Sequence, residues 1–214
     1  MAVDTALTWS VAIPVKVLAT AKSRLAELRD ADRQALALAM AVDTVAAAVA
    51  CPQVGAVVVV TSDEAVAAEV SALGALVLAD SPGRGLNPAL VSAAGYAAER
   101  WPGYGRAALL ADLPALSARE LTVALTAASS AAQAFVPDAA GIGTTLYTAR
   151  PGADFSPRFG PGSRGLHKQA GATELELAGV AGLRQDVDTV ADLHAAAMIG
   201  LGRRSAALAM ADRV

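Results

Sequence analysis

Sulfur chemistry has almost no material in this chain. One cysteine, Cys51, among 214 residues excludes an internal disulfide framework and a cysteine-based zinc site. The two histidines, His167 and His194, come with no cysteine nucleophile, serine elbow or histidine pair. Aromatic residues are only 4% of the total, so the core must be assembled from many small side chains, chiefly alanine and valine. No uncharged apolar run reaches the roughly 18 residues that a membrane span needs. Residues 1–9 carry Asp4 and lack a basic segment leading into an apolar one, so no secretion signal is expected. A net charge of −3 argues against a general nucleic-acid surface. The expected location is the cytoplasm. An anionic substrate would have to be held by local cations, backbone amides or a metal.

What the chain does have is alternation. Apolar runs suited to buried strands alternate with helical periodicity, which predicts an α/β fold in a single domain spanning residues 1–214. A β-rich run over residues 9–17 is broken by Pro14. A helix follows Asp32 to Val49, with Leu36, Met40 and Thr44-Val45 on one face. Residues 56–60 form the plainest buried strand. Ser62 is placed to cap the next helix, whose inward stripe is Val66, Val70 and Leu73, with Gly74 ending it. After a short strand at 75–78, Asn87 and Pro88 are placed to open another helix. Ser117 and Glu120 match a capping box, as do Thr189 and Asp192. Short strands are expected at 134–136, 146–148 and 183–187. The glycine- and proline-rich residues 149–165 read as an ordered loop or lid, because periodic structure resumes beyond them.

The run at residues 107–111 ends on Asp112, with Pro114 two residues later preventing a regular strand from continuing. Open α/β sheets bind ligands at the carboxyl ends of their strands. Asp112 is therefore either a ligand-facing carboxylate or a turn residue bonded to its own backbone. Asp186 and Asp188 alternate with Val187, so an extended segment would turn both to one side. Two such carboxylates repel unless a cation lies between them; the other reading is turn and capping residues. Asp138 ends a further strand. Magnesium suits a set of this kind, since it takes oxygen ligands and leaves places for phosphates. The loops around Gly141-Ile142-Gly143-Thr144 and Gly160-Pro161-Gly162-Ser163 are either ordinary turns or backbone-amide anion nests. Lys16, Lys22 and Arg24 are either a solvated face or phosphate-facing cations beyond the first strand. His167 is placed to touch a phosphate or to pack.

These residues form an ordered series: Ile13-Pro-Val-Lys16, Ala21-Lys-Ser-Arg-Leu25, Gly85-Leu-Asn87, Ala111-Asp-Leu-Pro114, Gly141-Ile-Gly-Thr144, Phe159-Gly-Pro-Gly-Ser163 with His167, and Asp186-Val-Asp-Thr189. The series resembles the phosphoenolpyruvate/2-phospho-L-lactate guanylyltransferase family of coenzyme F-420 biosynthesis, over roughly residues 10–200. The resemblance implies a GT-A-like nucleotidyltransferase fold, with a mixed, mostly parallel sheet flanked by helices. It implies Mg2+ as cofactor, with GTP and phosphoenolpyruvate as substrates. Asp112, Asp186 and Asp188 would be metal ligands. Thr144, Gly160 and Ser163 would hold phosphoenolpyruvate, while Lys16, Lys22, Arg24 and Asn87 would face GTP. Asp112 and Lys22 would be the catalytic pair. Val190 replaces a proline common in the family, and Pro88 directly follows Asn87. Alternatives from the residues are a different phosphorylated acceptor, such as 2-phospho-L-lactate, or a nucleotide-binding protein without catalysis.

Overall fold

A computed structural model of the protein describes residues 7–20, 29–80 and 85–211. Seven strands of the described residues form one sheet: β1 (Trp9–Pro14), β2 (Val54–Val60), β3 (Leu76–Leu78), β4 (Gly105–Leu109), β5 (Gln133–Pro137), β6 (Thr144–Ala149) and β7 (Thr173–Glu174). Their spatial order is β3-β2-β1-β4-β6-β5-β7. Only β6 runs against its neighbours, β4 and β5; every other pairing is parallel. The helices are α1 (Asp30–Val49), α2 (Glu64–Ala72), α3 (Leu86–Arg100), α4 (Ala118–Ala128), α5 (Ser163–Gln169), α6 (Ala181–Arg184), α7 (Val190–Ile199) and α8 (Arg203–Ala211). The mixed, mostly parallel sheet flanked by helices is the architecture expected from the alternating pattern.

The strands are apolar on both sides because both faces are covered. Val11, Ile13, Val57, Val59, Ala107 and Leu109 turn to one face, against α1, α2 and α4. Their neighbours Ala12, Val58, Val60 and Ala108 turn to the other, where α3 packs with its Ala89, Ala93, Ala94 and Ala97. Alanines on α3 let that helix approach closely. Cys51 is buried on the first of these faces, with Val11, Ile13 and Val57, as a small hydrophobe.

Three local expectations shift, and one strand is new. Asp63, not Ser62, caps α2: its Oδ1 accepts from Ala65 N at 3.1 Å and Val66 N at 3.2 Å, while Ser62 Oγ donates to Asp80 O. The Asp63 carboxylate also accepts Leu18 N at 2.9 Å, a long-range bond that a serine at 62 could not make as well. α3 starts at Leu86 after Gly85, whose φ of +89° only glycine adopts readily, so Asn87 lies in the first turn and is not the cap. Residues 183–187 are not a strand. β6 already occupies the sheet position beside β4, so Leu183 and Val187 bury themselves through the single turn of α6 and the loop after it. The two-residue β7, unmarked by any alternation, pairs with β5. Both capping boxes, Ser117/Glu120 and Thr189/Asp192, are present as expected.

The C-terminal helix is tied down from a distance. Asp43 of α1, 8% exposed, accepts Arg204 N at 2.9 Å and Ser205 N at 2.8 Å, and so caps α8. Among the described residues, no helix is long and apolar enough to cross a membrane.

Candidate active site

The carboxyl ends of β1 and β4 open onto a cleft of about 660 Å³. Lys16, Asp112, Thr144, Gly160, Ser163, Asp186 and Asp188 all line it. Residues from five parts of the chain thus share one space. Lys22 and Arg24 lie outside the described residues. Asn87 is not among the described lining residues, although Leu86 beside it is.

One wall is acidic. Asp112 follows β4, Asp138 follows β5, and Asp186 and Asp188 flank Val187 in the loop between α6 and α7. The loops carrying Asp112 and Asp186 are stitched together by a backbone bond, Val187 N to Asp112 O, at 3.1 Å. Burial, then the negative charges of Asp112 and Asp138 and more weakly Asp188, push the Asp186 carboxyl up to about 7. A carboxyl in that state is poised to ionise once a cation arrives. Among the described residues, no three acid, imidazole or thiol side chains form a ready-made ion cage. The donor set instead suits an ion held by one or two carboxylates and completed by phosphate oxygens, which is the usual Mg2+ arrangement.

Asp138 belongs to this wall but has a second task. Its carboxylate accepts Ile142 N at 2.9 Å and Gly143 N at 2.7 Å, so the amides of the Gly141 loop are already taken. An anion nest at those two amides is therefore corrected to a carboxylate brace. Arg184 fixes the same corner, donating to Pro137 O at 3.1 Å and Asp138 O at 2.9 Å. Nothing in the local sequence marks Arg184 for this role, since its partners lie 46 and 47 residues away.

The loop from Phe159 to Ser163 lines the same cleft. Asn87 holds it by a paired amide contact: Phe159 N donates to Asn87 Oδ1 at 2.8 Å, and Asn87 Nδ2 donates to Phe159 O at 2.9 Å. The Asn87 amide is committed to the loop, which makes Asn87 the hinge pin between α3 and the Gly160–Ser163 wall. Gly160 and Gly162 have φ of +132° and +70°, a backbone course that side-chain-bearing residues resist.

His167 sits behind Thr144 and is fully buried. Phe135, Tyr147 and Phe159 surround its ring. A direct phosphate contact is therefore replaced by an indirect one. Arg158 N donates to His167 Nε2 at 2.8 Å, so that nitrogen is unprotonated and the neutral ring carries its proton on Nδ1. Nδ1 lies 3.0 Å from Thr144 Oγ1 and donates to it, which leaves the threonine proton to be directed elsewhere. Protonating Nε2 would set two donors against each other. Burial, opposed by the Ser163 backbone and aided by the charge of Arg158, lowers the His167 pKa to about 4.

This predicts an acid-sensitive fold. The unfolded imidazole takes up its proton near pH 6.5 and the folded one only near 4, so this contribution is complete above 6.5 and lost as pH falls to 4. The loss amounts to about 3 kcal/mol. Denaturant melts of wild type and His167→Gln across that range check it: the variant should lose distinctly less stability on acidification. Parallel curves would remove His167 as the cause.

The comparisons agree with this geometry. Residues 9–207 match the family described as Guanylyl transferase CofC like. The phosphoenolpyruvate guanylyltransferase of Thermomonospora curvata is 56% identical over 206 residues, covering 96% of this chain and 90% of that protein. That of Streptomyces coelicolor is 52% identical over 202 residues, covering 94% and 95%. Among solved structures, a Desulfovibrio desulfuricans protein named for nucleotide-diphospho-sugar transfer superimposes with a TM-score of 0.72 at 18% identity, covering 96% of this chain and 95% of that one. A nucleotidyl transferase from Methanothermobacter gives a TM-score of 0.58 at 16% identity, covering 90% and 97%. These two likenesses speak for the nucleotidyltransferase fold, and the high identities over nearly the whole length speak for the family. The chain belongs to the CofC-like guanylyl transferases.

Proposed function

We propose that this protein transfers GMP from GTP to the phosphate of phosphoenolpyruvate, a step of coenzyme F-420 biosynthesis. The products are enolpyruvoyl-2-diphospho-5′-guanosine and pyrophosphate. One observation carries the reading: the acidic residues Asp112, Asp186 and Asp188 and the glycine- and hydroxyl-bearing residues Thr144, Gly160 and Ser163 line a single cleft. The relatives named for this reaction supply the choice of guanine and of acceptor.

An oxygen of the acceptor phosphate attacks the α-phosphorus of GTP, and the bond to the β-phosphate oxygen breaks with departure of pyrophosphate. A phosphate monoester has a second pKa near 6, so the nucleophile is largely ionised at neutral pH and needs no general base. That agrees with His167 being enclosed and held neutral, and with His194 lying exposed on α7. The chemical demand is to bring several negative charges together and share them. One or two carboxylates of the set Asp112, Asp186 and Asp188 would hold Mg2+ together with phosphate oxygens, and the ion would offset phosphate charge. Thr144, Gly160 and Ser163 receive the acceptor, with the Thr144 hydroxyl aimed by His167. Lys16, at the end of β1, faces the GTP phosphates from the cleft. The family resemblance assigns Lys22 and Arg24 to the same phosphates, with Lys22 as the catalytic cation. Asn87 serves the nucleotide side indirectly, by fixing α3 against the acceptor loop.

The direct test is product mass. Incubation with GTP, Mg2+ and phosphoenolpyruvate should yield the diphospho-guanosine product with one pyrophosphate released per turnover. A guanylylated product from 2-phospho-L-lactate alone would reassign the acceptor. Binding of GTP without pyrophosphate release under any acceptor would reduce the protein to a nucleotide binder.

A further inference from the structure

After Leu109 the chain leaves β4 and runs through Leu110, Ala111 and Asp112 toward Pro114. Leu110 N still reaches Thr145 O at 3.0 Å, but the following backbone groups have left the sheet and need partners from elsewhere. A single side chain meets two of them. The Thr44 hydroxyl, on α1, approaches Ala111 O at 3.1 Å as donor and accepts Leu113 N at 3.2 Å. It also lies 2.9 Å from Met40 O, one helical turn back, so its proton is shared between two carbonyls. Thr44 is fully buried.

Ala111 and Leu113 are the residues on either side of Asp112. A hydroxyl that grips both fixes the peptide planes before and after the carboxylate-bearing carbon. The Asp112 carbonyl in turn accepts Val187 N, between Asp186 and Asp188, and Pro114 O accepts Gly202 N at 2.7 Å. Thr44 is thus the first link in a short chain of bonds that reaches both acidic segments. Its setting makes the residue choice informative. Alanine holds four of the ten buried positions of α1, and it is the better helix former there. A β-branched hydroxyl residue in the middle of that helix carries a cost that local structure does not repay.

We infer that Thr44 is a positioning residue for the ion-binding carboxylate: its hydroxyl sets the direction in which Asp112 enters the cleft. The inference rests on the reading of Asp112 as an ion ligand given above. Groups that orient a ligand from behind typically control metal affinity or activity by about tenfold to a hundredfold.

The experiment compares Thr44→Val, which keeps the shape and deletes the hydroxyl, with Thr44→Ser, which keeps the hydroxyl. Mn2+ serves as a paramagnetic probe and is titrated with GTP present and acceptor absent, so binding is read without turnover. Thr44→Val should weaken Mn2+ binding about tenfold and lower kcat by about tenfold or more. The KM for phosphoenolpyruvate should stay within about twofold of wild type, because the acceptor wall is untouched. Thr44→Ser should restore both Mn2+ binding and kcat. If Thr44→Val does not fold, Thr44→Cys, with a weak thiol in the same space, should show the same split against Thr44→Ser. Unchanged Mn2+ binding in a folded hydroxyl-deleted variant, or equal impairment of Thr44→Ser, overturns the assignment. Failure of the wild-type chain to bind Mn2+ would overturn the ion site itself, and Thr44's role with it, and is a distinguishable result.

Discussion

Asp112→Asn should remove about three orders of magnitude or more of pyrophosphate release while leaving the protein folded. An ion that offsets phosphate charge is worth several kcal/mol at the transition state, and each 1.36 kcal/mol is about tenfold in rate. Asparagine keeps the shape and an acceptor oxygen but deletes the charge that would hold the ion. Stability should be level or slightly raised. Asp112 is, after burial, the strongest influence raising the Asp186 carboxyl, so deleting its charge relieves repulsion in the acidic wall. The backbone bonds that fix the segment, from Val187 N to Asp112 O and from Leu113 N to Thr44 Oγ1, do not involve the side chain being changed. Initial rates of pyrophosphate release, read beside thermal melts, check both halves. Retention of most activity would remove Asp112 from the ion site. Loss of activity together with a collapsed melting transition would mean that the carboxylate is structural.

The contrast between a charge-dependent site and a charge-independent scaffold bears on what was legible in the sequence. A strand before Asp112 was legible from the apolar run ahead of Pro114, but its end was not: the expected 107–111 is β4 at Gly105–Leu109, and Asp112 lies three residues beyond it. The capping boxes at Ser117 and Thr189 were legible because both partners lie within four residues of each other. The segment around Asp186 lines the cleft, but on a helical turn and loop instead of the expected strand. Leu183 and Val187 have strand-like spacing, yet the antiparallel return of β6 had already filled the place beside β4. Pairing order is a long-range property, and local alternation does not encode it. Asn87 showed the same limit. Its position before a proline resembles a helix cap, while its amide is actually bonded to Phe159, 72 residues on. Thr44 looked like one more member of an inward stripe. Only the fold brings the Asp112 turn onto it, 67 to 69 residues away. His167 looked like a candidate phosphate contact because sequence spacing says nothing about which ring nitrogen is capped or how many aromatics enclose it.

The largest steric effect should come from Gly182→Ala, a change that adds one methyl group at the point where three parts of the site scaffold meet. A Cβ built at Gly182 would lie 2.0 Å from Ala115 O, 2.7 Å from Ala115 C and 2.8 Å from Glu120 Oε2. The first two are backbone atoms just beyond the Asp112–Pro114 turn, so they cannot swing aside as a flexible side chain would. The third is the carboxylate of the α4 capping box, which also accepts Gly182 N at 2.7 Å through its other oxygen. Relief must therefore come from separating α6 from the Asp112 turn. α6 leads within two residues of its end into Asp186, so the separation opens the acidic wall. Overpacking of this kind typically costs about 1–3 kcal/mol in stability. A displacement of about 1 Å at a reacting constellation can cost on the order of a hundredfold in rate. Gly182→Ala should accordingly melt lower and lose far more kcat than its stability loss explains, with Mn2+ binding weakened in parallel. Gly165→Ala, where an added Cβ meets nothing within 4 Å, should leave the Mn2+ affinity of the acidic wall near wild type. Full activity in Gly182→Ala would mean that α6 and the Asp112 turn can part without disturbing the carboxylates, and that the tight contact serves folding alone.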